Sequence, residues 1–110
     1  MTLNIQTLST FNKDVKRLFK KYRQLPNDLK VLRSELLNNP KSGIEIGNSC
    51  YKIRVANSST STGKSGGFRV IYYYIDASNN LYLVSIYSKS ELENIDDKII
   101  VKILKEHGLA

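Results

Sequence analysis

The fold of this chain is decided by residues 50–89, CYKIRVANSSTSTGKSGGFRVIYYYIDASNNLYLVSIYSK. Three runs in this segment are rich in β-branched and aromatic residues, and they predict strands at residues 51–55, 68–76 and 81–87. The polar residues 77–80, ASNN, predict a turn between the second and third strands. Because strands that follow each other along a chain usually pair, we expect an antiparallel sheet.

Positive charge is concentrated in the same segment. Side chains alternate across a strand, so Lys52 and Arg54 share one face of the first strand while its apolar residues share the other. The only acid between residues 46 and 90 is Asp76, which lies next to the turn. The cations there are Lys52, Arg54, Lys64, Arg69 and Lys89. A sheet with nearly unopposed positive charge is typical of a surface that binds a phosphate backbone.

The composition bounds the class of protein. The chain has 110 residues, of which 41% are hydrophobic, so we expect a single globular domain over residues 1–110. Its 17 Lys and Arg against 10 Asp and Glu give a formal net charge of +7. Such a charge suits a polyanionic partner, and an acidic protein partner fits equally well.

Cysteine usage and hydropathy say little about cofactors or membranes. Cys50 is the only cysteine, so we expect no intrachain disulfide and no metal site built on thiolates. The sequence shows no other metal-binding pattern, and we expect no cofactor. No charged and then apolar leader opens the chain, and no apolar run approaches the length of a membrane span. These features predict a cytoplasmic protein.

The N-terminal part predicts a short strand and two helices. Residues 2–8 alternate as a strand does, and Ser9 or Thr10 is the expected N-cap of the first helix. The second helix is predicted at residues 28–38, after the helix-breaking segment 24–27. We expect the two helices to cover one face of the sheet as a hairpin. The expected core residues are Phe11, Val15, Leu18, Phe19 and Tyr22 of the first helix and Leu29, Leu32, Leu36 and Leu37 of the second.

Two connections flank the first central strand. Residues 41–49 contain two glycines and are predicted to be a connector. Residues 56–67 are rich in Ser, Thr and Gly and predict a mobile loop between adjacent antiparallel strands. Its TGKS at residues 62–65 matches the end of a Walker A motif, but Ser58 replaces the required glycine and a strand, not a helix, follows. Nucleotide hydrolysis is therefore not expected.

The C-terminal part predicts a second helical region. Ser90 and Glu93 fit a capping box, which indicates a helical turn at residues 90–95. A final helix is expected from Asp96, with Gly108 as its stop. Its apolar side consists of Ile99, Ile100, Ile103 and Leu104.

Three motifs resemble a known family in their order and spacing. They are IRV at residues 53–55, GKSGGFRVIYY at residues 63–73 and IYSKSE at residues 86–91. Together with the strand and helical hairpin before them, they resemble the RelE/ParE superfamily of toxins from toxin–antitoxin systems. The resemblance is to the HigB-like and RelE-like branch, whose members cleave RNA.

The resemblance implies a fold, an activity and a partner. The fold is α+β, an antiparallel sheet with an N-terminal helical hairpin on one face and a C-terminal helix. The activity is cleavage of messenger RNA, commonly in the ribosomal A site, and the partner is a cognate antitoxin that holds the toxin inactive. The family positions that match are Lys52, Arg54, Arg69 and Lys89 as catalytic residues and Lys64 as an RNA contact.

Two departures from the family pattern bear on the chemistry. The catalytic tyrosine that RelE-type members carry after the last strand has no counterpart in residues 92–95, LENI. Lys89 stands where RelE has an arginine. Tyr87 is the aromatic residue that we expect to contact RNA in place of the missing tyrosine.

The residue types suit cleavage of RNA by its own 2′-hydroxyl. That reaction removes the 2′ proton, stabilises charge on the phosphoryl oxygens and protonates the 5′-oxygen. Arg69, which follows two glycines, is expected to face the groove and hold phosphoryl oxygens with its planar fork. Lys52, beside two arginines, is a candidate base, because neighbouring cations favour the uncharged form of a lysine.

Two other functions remain open. A ParE-like protein of the same fold inhibits gyrase by protein contact, and a plain RNA-binding module needs only the cations. Composition alone favours phosphate binding without catalysis, and the resemblance favours the endoribonuclease.

Overall fold

The computed structural model describes residues 3–61 and 63–110, which contain three α-helices, five strands and a short 3-10 helix at Asp76–Ser78. In chain order the strands and α-helices are β1 (Asn4–Thr7), α1 (Ser9–Phe19), α2 (Leu25–Asn38), β2 (Ile44–Gly47), β3 (Cys50–Val55), β4 (Phe68–Ile75), β5 (Asn80–Ser88) and α3 (Asp97–Glu106). Thr2 of the predicted first strand and Thr62 of the TGKS motif lie outside the described residues.

The strands form one sheet in the order β1-β5-β4-β3-β2. The pairs β2–β3, β3–β4 and β4–β5 are antiparallel, whereas β1 runs parallel to β5 at the other edge. The predicted α+β class and the three predicted central strands are confirmed. None of the helices in the described ranges is both long and apolar enough to cross a bilayer.

Each face of the sheet carries its own core. On one face, Ile53 and Val55 of β3 pack in a cluster with residues of α1 and α2, including Phe11 and Leu32. On the other face, a smaller cluster joins residues of β3, β4 and β5 to Ile100, Ile103 and Leu104 of α3. The alternation predicted for β3 is therefore confirmed, and β4, covered on both sides, is buried from Phe68 to Tyr72.

The starts of the two N-terminal helices differ from the prediction. Helix α2 begins three residues early, at Leu25, because Pro26 is accepted in the first helical turn, where its missing N–H is not needed. Leu25 is fully buried, which adds apolar burial to the early start. Helix α1 has neither Ser9 nor Thr10 as its N-cap, since Leu8 holds that position. The Thr10 hydroxyl instead donates to the carbonyl of Val84 in β5.

The predicted connector at residues 41–49 contains a strand. β2 pairs with β3 from Gly47 to Ile44, where Ile44 lies opposite Lys52. Asn48 and Ser49, with φ of 54° and 60°, turn the chain through the left-handed region between the two strands. The alternation of Ile44 and Ile46 before this turn is the strand pattern that the prediction of a connector missed.

Of the C-terminal predictions, the helical turn is wrong and the final helix is confirmed. The helical turn predicted at residues 90–95 is wrong, because the capping-type contact forms two residues earlier, where Glu91 Oε1 accepts from the Ser88 backbone N–H at 3.1 Å. The start of α3 is confirmed, since Asp96 is its N-cap and accepts from the Lys98 backbone N–H at 2.8 Å. Gly108 follows the helix with a φ of +72°, as a helix stop requires.

Asp14 of α1 accepts hydrogen bonds at a point where the sheet is irregular. The β4–β5 register shifts between Ile71 and Tyr72, which disturbs the ladder on β5. Asp14 Oδ2 accepts there from the Ser85 hydroxyl at 2.9 Å and from the Ile86 backbone N–H at 3.2 Å. The same side chain thus satisfies a strand donor and fixes α1 on the sheet.

We expect Asp14→Ala to lower the free energy of unfolding by about 1–3 kcal/mol, because it leaves the Ile86 N–H and the Ser85 hydroxyl without their acceptor. Chemical denaturation followed by circular dichroism measures the change. Asp76→Ala is the matched control, since it removes an exposed carboxylate whose ion pair with Lys41 is also exposed. Equal and small effects in the two variants would contradict the role of Asp14.

A second prediction concerns Cys50, whose side chain is 0% exposed in the smaller core. Burial raises the pKa of its thiol to about 11, so the reactive thiolate stays scarce in the folded protein until the pH approaches that value. A thiol reagent at pH 8 should therefore label the native protein slowly and the denatured protein completely. Rapid labelling under native conditions, with the unfolding transition intact, would show that the site opens readily.

Candidate nucleic-acid interface

Strand β3 positions the first two predicted catalytic residues, Lys52 and Arg54. They alternate along the strand with Ile53 and Val55, which pack against the helical hairpin; Lys52 is half-buried and Arg54 is exposed. β2 pairs with β3 only as far as Lys52, so the edge of β3 is unpaired by β2 beyond that residue. Arg54 therefore lies at an open edge of the sheet.

A cleft of about 400 Å³ lies at this edge and collects three of the predicted site residues. Lys52 and Arg54 line it together with Lys64 from the loop between β3 and β4. Glu35 of α2 also lines the cleft, so an acid partly balances the positive charge, which the sequence indicated to be nearly unopposed. The segment between residues 46 and 90 gave no indication of this acid, because Glu35 comes from a helix far away along the chain.

Lys52 is held by a residue of the segment before α3. Its Nζ donates to Asn94 Oδ1 at 3.1 Å. Asn94 Oδ1 also lies 3.5 Å from the hydroxyl of Tyr87. Asn94 thus contacts Lys52 from the segment where the family pattern has its tyrosine, and no sequence motif marks this residue.

Tyr87 does not present its ring to a ligand in this structure. The residue is 3% exposed and belongs to the core under α3. Burial raises the pKa of its phenol, against smaller opposing effects of a hydrogen bond with the Ile95 backbone and of the charge of Arg69. The predicted contact of Tyr87 with RNA is not possible with the ring in this position.

Arg69 also differs from its predicted placement. It lies opposite Arg54 in the β3–β4 register, yet it is only 7% exposed. Its Nη1 donates to the carbonyls of Lys64 at 3.0 Å and Phe68 at 3.2 Å, and its Nη2 to the carbonyl of Ser65 at 3.0 Å. Burial lowers the pKa of Arg69, and the charge of Arg54 adds to that effect. The expectation that this guanidinium faces an open groove is wrong.

The loop between β3 and β4 is anchored at both ends, which the prediction of a mobile loop did not include. Near its start, the Ser58 backbone N–H donates to Asp28 Oδ2 at 3.1 Å, in the first turn of α2. Near its end, a Cβ on Gly67 would lie 2.2 Å from the Val55 carbonyl oxygen, so only glycine fits. The loop therefore returns across the end of β3 in close backbone contact.

Lys89 lies at the end of β5, outside the set of residues that line the cleft. Its backbone N–H donates to the Gly67 carbonyl at 2.9 Å, and its Nζ donates to the Glu93 carbonyl at 3.3 Å. Lys89 is thus tied to the loop and to the segment before α3. In residues 3–61 and 63–110, no three side chains of His, Cys, Asp or Glu come together as a metal site would need.

Comparison with known proteins places this geometry in a fold. No family model matches the sequence. The structure is similar to a mutant of the E. coli toxin RelE in the free state, with a TM-score of 0.60 and 20% identity over 96% of this chain and 98% of that one. The chain has the RelE fold.

Two further structures support the same fold. The isolated E. coli RelE toxin matches with a TM-score of 0.56 and 19% identity, over 94% of this chain and 97% of that one. The intact E. coli RelBE toxin–antitoxin complex matches with a TM-score of 0.53 and 22% identity, over 76% of this chain and 93% of that chain. The predicted RelE-like architecture, a sheet with a helical hairpin on one face and a C-terminal helix, is confirmed.

Proposed function

We propose that this chain is the toxin of a toxin–antitoxin pair and that it cleaves messenger RNA in the cytoplasm, on the ribosome. The observation that carries the proposal is the cleft at the edge of β3, where Lys52, Arg54 and Lys64 come together. The RelE fold supports it, since the protein with that fold is a toxin and its complex holds an antitoxin. Placement in the HigB-like and RelE-like RNA-cleaving branch is part of the proposal.

In the proposed reaction the 2′-oxygen of the RNA attacks the adjacent phosphorus. A bond from the 2′-oxygen to phosphorus forms, the bond to the 5′-oxygen breaks, and the products carry a 2′,3′-cyclic phosphate and a 5′-hydroxyl. The 2′ proton passes to a base, and the 5′-oxygen receives a proton. Negative charge grows on the phosphoryl oxygens between these steps, and preorganised cations lower the barrier by stabilising it.

The accessible cations take separate parts in this proposal. Arg54 offers an exposed planar fork to the phosphoryl oxygens, a geometry that lysine lacks. Lys52 exchanges its bond with Asn94 for a contact with the RNA, where its charge neutralises the phosphate. Lys64 and Lys89 hold the RNA backbone on either side. Arg69 makes no direct contact with the RNA in this proposal, because its guanidinium is bonded to carbonyls of the loop.

We expect Lys52→Ala and Arg54→Ala each to reduce RNA cleavage by about 10²–10³-fold, as loss of a preorganised charge-stabilising donor does. Primer extension on cellular mRNA after induced expression locates the cuts, and growth inhibition is scored in parallel. Lys102→Ala, which removes an exposed cation from α3, is the matched control and should cleave like the wild type.

Purified protein that cleaves free RNA should continue to do so in EDTA.

Three outcomes would contradict the proposal. Growth inhibition without new cuts in mRNA would favour a ParE-like inhibitor. RNA binding without cleavage in the presence of ribosomes would favour a binding module. Full cleavage by folded Lys52→Ala and Arg54→Ala proteins would remove the cleft from the mechanism.

The second proposal concerns the partner. A chain with a net charge of +7 and an open basic cleft is suited to an acidic antitoxin that covers Lys52, Arg54 and Lys64. We expect the affinity of the complex to fall as the salt concentration rises, because ions screen exposed charges. Calorimetry with the co-expressed antitoxin at several salt concentrations measures this effect.

Charge reversal separates the cleft from the rest of the surface. Arg54→Glu and Lys64→Glu should weaken the antitoxin complex more than Lys102→Glu, which changes the net charge equally at an exposed position of α3. Equal losses in all three variants would show that the net charge, and not the cleft, attracts the partner.

A further inference from the structure

We infer that Arg69 is a positioning residue that shapes the loop after β3 and thereby places Lys64 at the cleft. The inference rests on the proposed function for its effect on RNA. The clamp itself, defined as the three bonds from Arg69 to the carbonyls of Lys64, Ser65 and Phe68, is a property of the protein alone.

The guanidinium of Arg69 is buried. A charged group that leaves water needs other hydrogen-bond partners to offset its desolvation. Arg69 is 7% exposed, and its guanidinium donates to three backbone carbonyls at 3.0–3.2 Å. These carbonyls thus take three of the five N–H donors, and little of the guanidinium is exposed to a phosphate ligand.

The shape of the Arg69 guanidinium suits this set of carbonyls. The carbonyls of Lys64, Ser65 and Phe68 belong to the two arms of one tight return of the chain, and Nη1 and Nη2 bond to them together. A guanidinium has five N–H donors in a fixed plane, whereas an ammonium group is a single point with three. Lysine at this position keeps the charge and cannot reproduce the clamp.

Lys64 connects the clamp to the cleft. Lys64 lines the cleft with Lys52 and Arg54, and it also lines a neighbouring cavity between α2 and the end of β3. Its carbonyl is bonded to Arg69, while the other end of the loop is bonded to Asp28 of α2. Since the loop is held from both sides, the place of the Lys64 side chain depends on both anchors.

Limited proteolysis tests the clamp without RNA. A lysine-specific protease is applied to the wild type and to Arg69→Lys and Arg69→Gln, and mass spectrometry follows cleavage after Lys64. Loss of the carbonyl bonds should speed this cleavage on the order of tenfold or more, because the loop must open before a protease can bind it. Cleavage after Lys102 in α3 should stay unchanged and serves as the internal reference.

A double-mutant cycle tests how Arg69 acts on RNA. The affinity for a short single-stranded RNA is measured for Arg69→Lys, Lys64→Ala and the double variant. If Arg69 acts through Lys64, the double variant binds no more weakly than Lys64→Ala alone. Arg54→Ala combined with Lys64→Ala is the control, in which the two losses should multiply because both side chains contact the RNA.

Each result decides the inference. Faster cleavage after Lys64 with a non-multiplying cycle supports it. Unchanged proteolysis, or losses that multiply for Arg69→Lys and Lys64→Ala, overturns it in favour of a direct RNA contact. Absence of a cooperative unfolding transition in both Arg69 variants also overturns it, because the arginine then holds the whole fold. If the wild type binds no RNA but the loop opens in the variants, the proposed function fails and the clamp stands.

Discussion

The register of β3 against β4 is the constraint on which the site depends. It places Arg54 directly opposite Arg69, and two like charges facing each other across a sheet repel. The conflict is resolved by turning one guanidinium to backbone carbonyls and leaving the other in water. Arg69 then holds the loop, and Arg54 remains accessible at the open edge. A single pairing thus separates a structural cation from a cation that can meet a ligand.

The two faces of the sheet are covered to different extents, and this difference creates the candidate interface at the edge of β3. The helical hairpin covers one face, with Asp14 fixing α1 where the β4–β5 ladder is irregular. On the other face α3 packs on the apolar residues of the middle strands, while Lys52 and Arg54 extend from β3. β2 is short, so the edge of β3 stays open beyond Lys52. The cleft lies at this edge, between β3, α2 and the loop after β3.

The similarity to RelE is a similarity of fold, and the site is built from residues of this chain's own. A shared fold hosts different chemistries, so the site has to be argued from its groups. In the segment before α3, Asn94 contacts Lys52, whereas the family pattern has a tyrosine after the last strand. An amide can accept and donate hydrogen bonds but has no proton to give at neutral pH. Within the proposed function, Asn94 therefore cannot act as the proton donor.

The sequence by itself determined the central strands, the start and end of α3 and the division of β3 into an apolar and a basic face. These features follow from local rules, since side chains alternate along a strand and an N-cap acts within one turn. It also predicted that Lys52 and Arg54 lie together, because two residues apart on a strand share a face. The tertiary structure alone decided that Arg69 is buried, that Glu35 enters the cleft and that Asn94 holds Lys52. Those contacts join residues from separate elements, and no local pattern encodes them because burial and pairing depend on how the helices and the loop pack over the sheet.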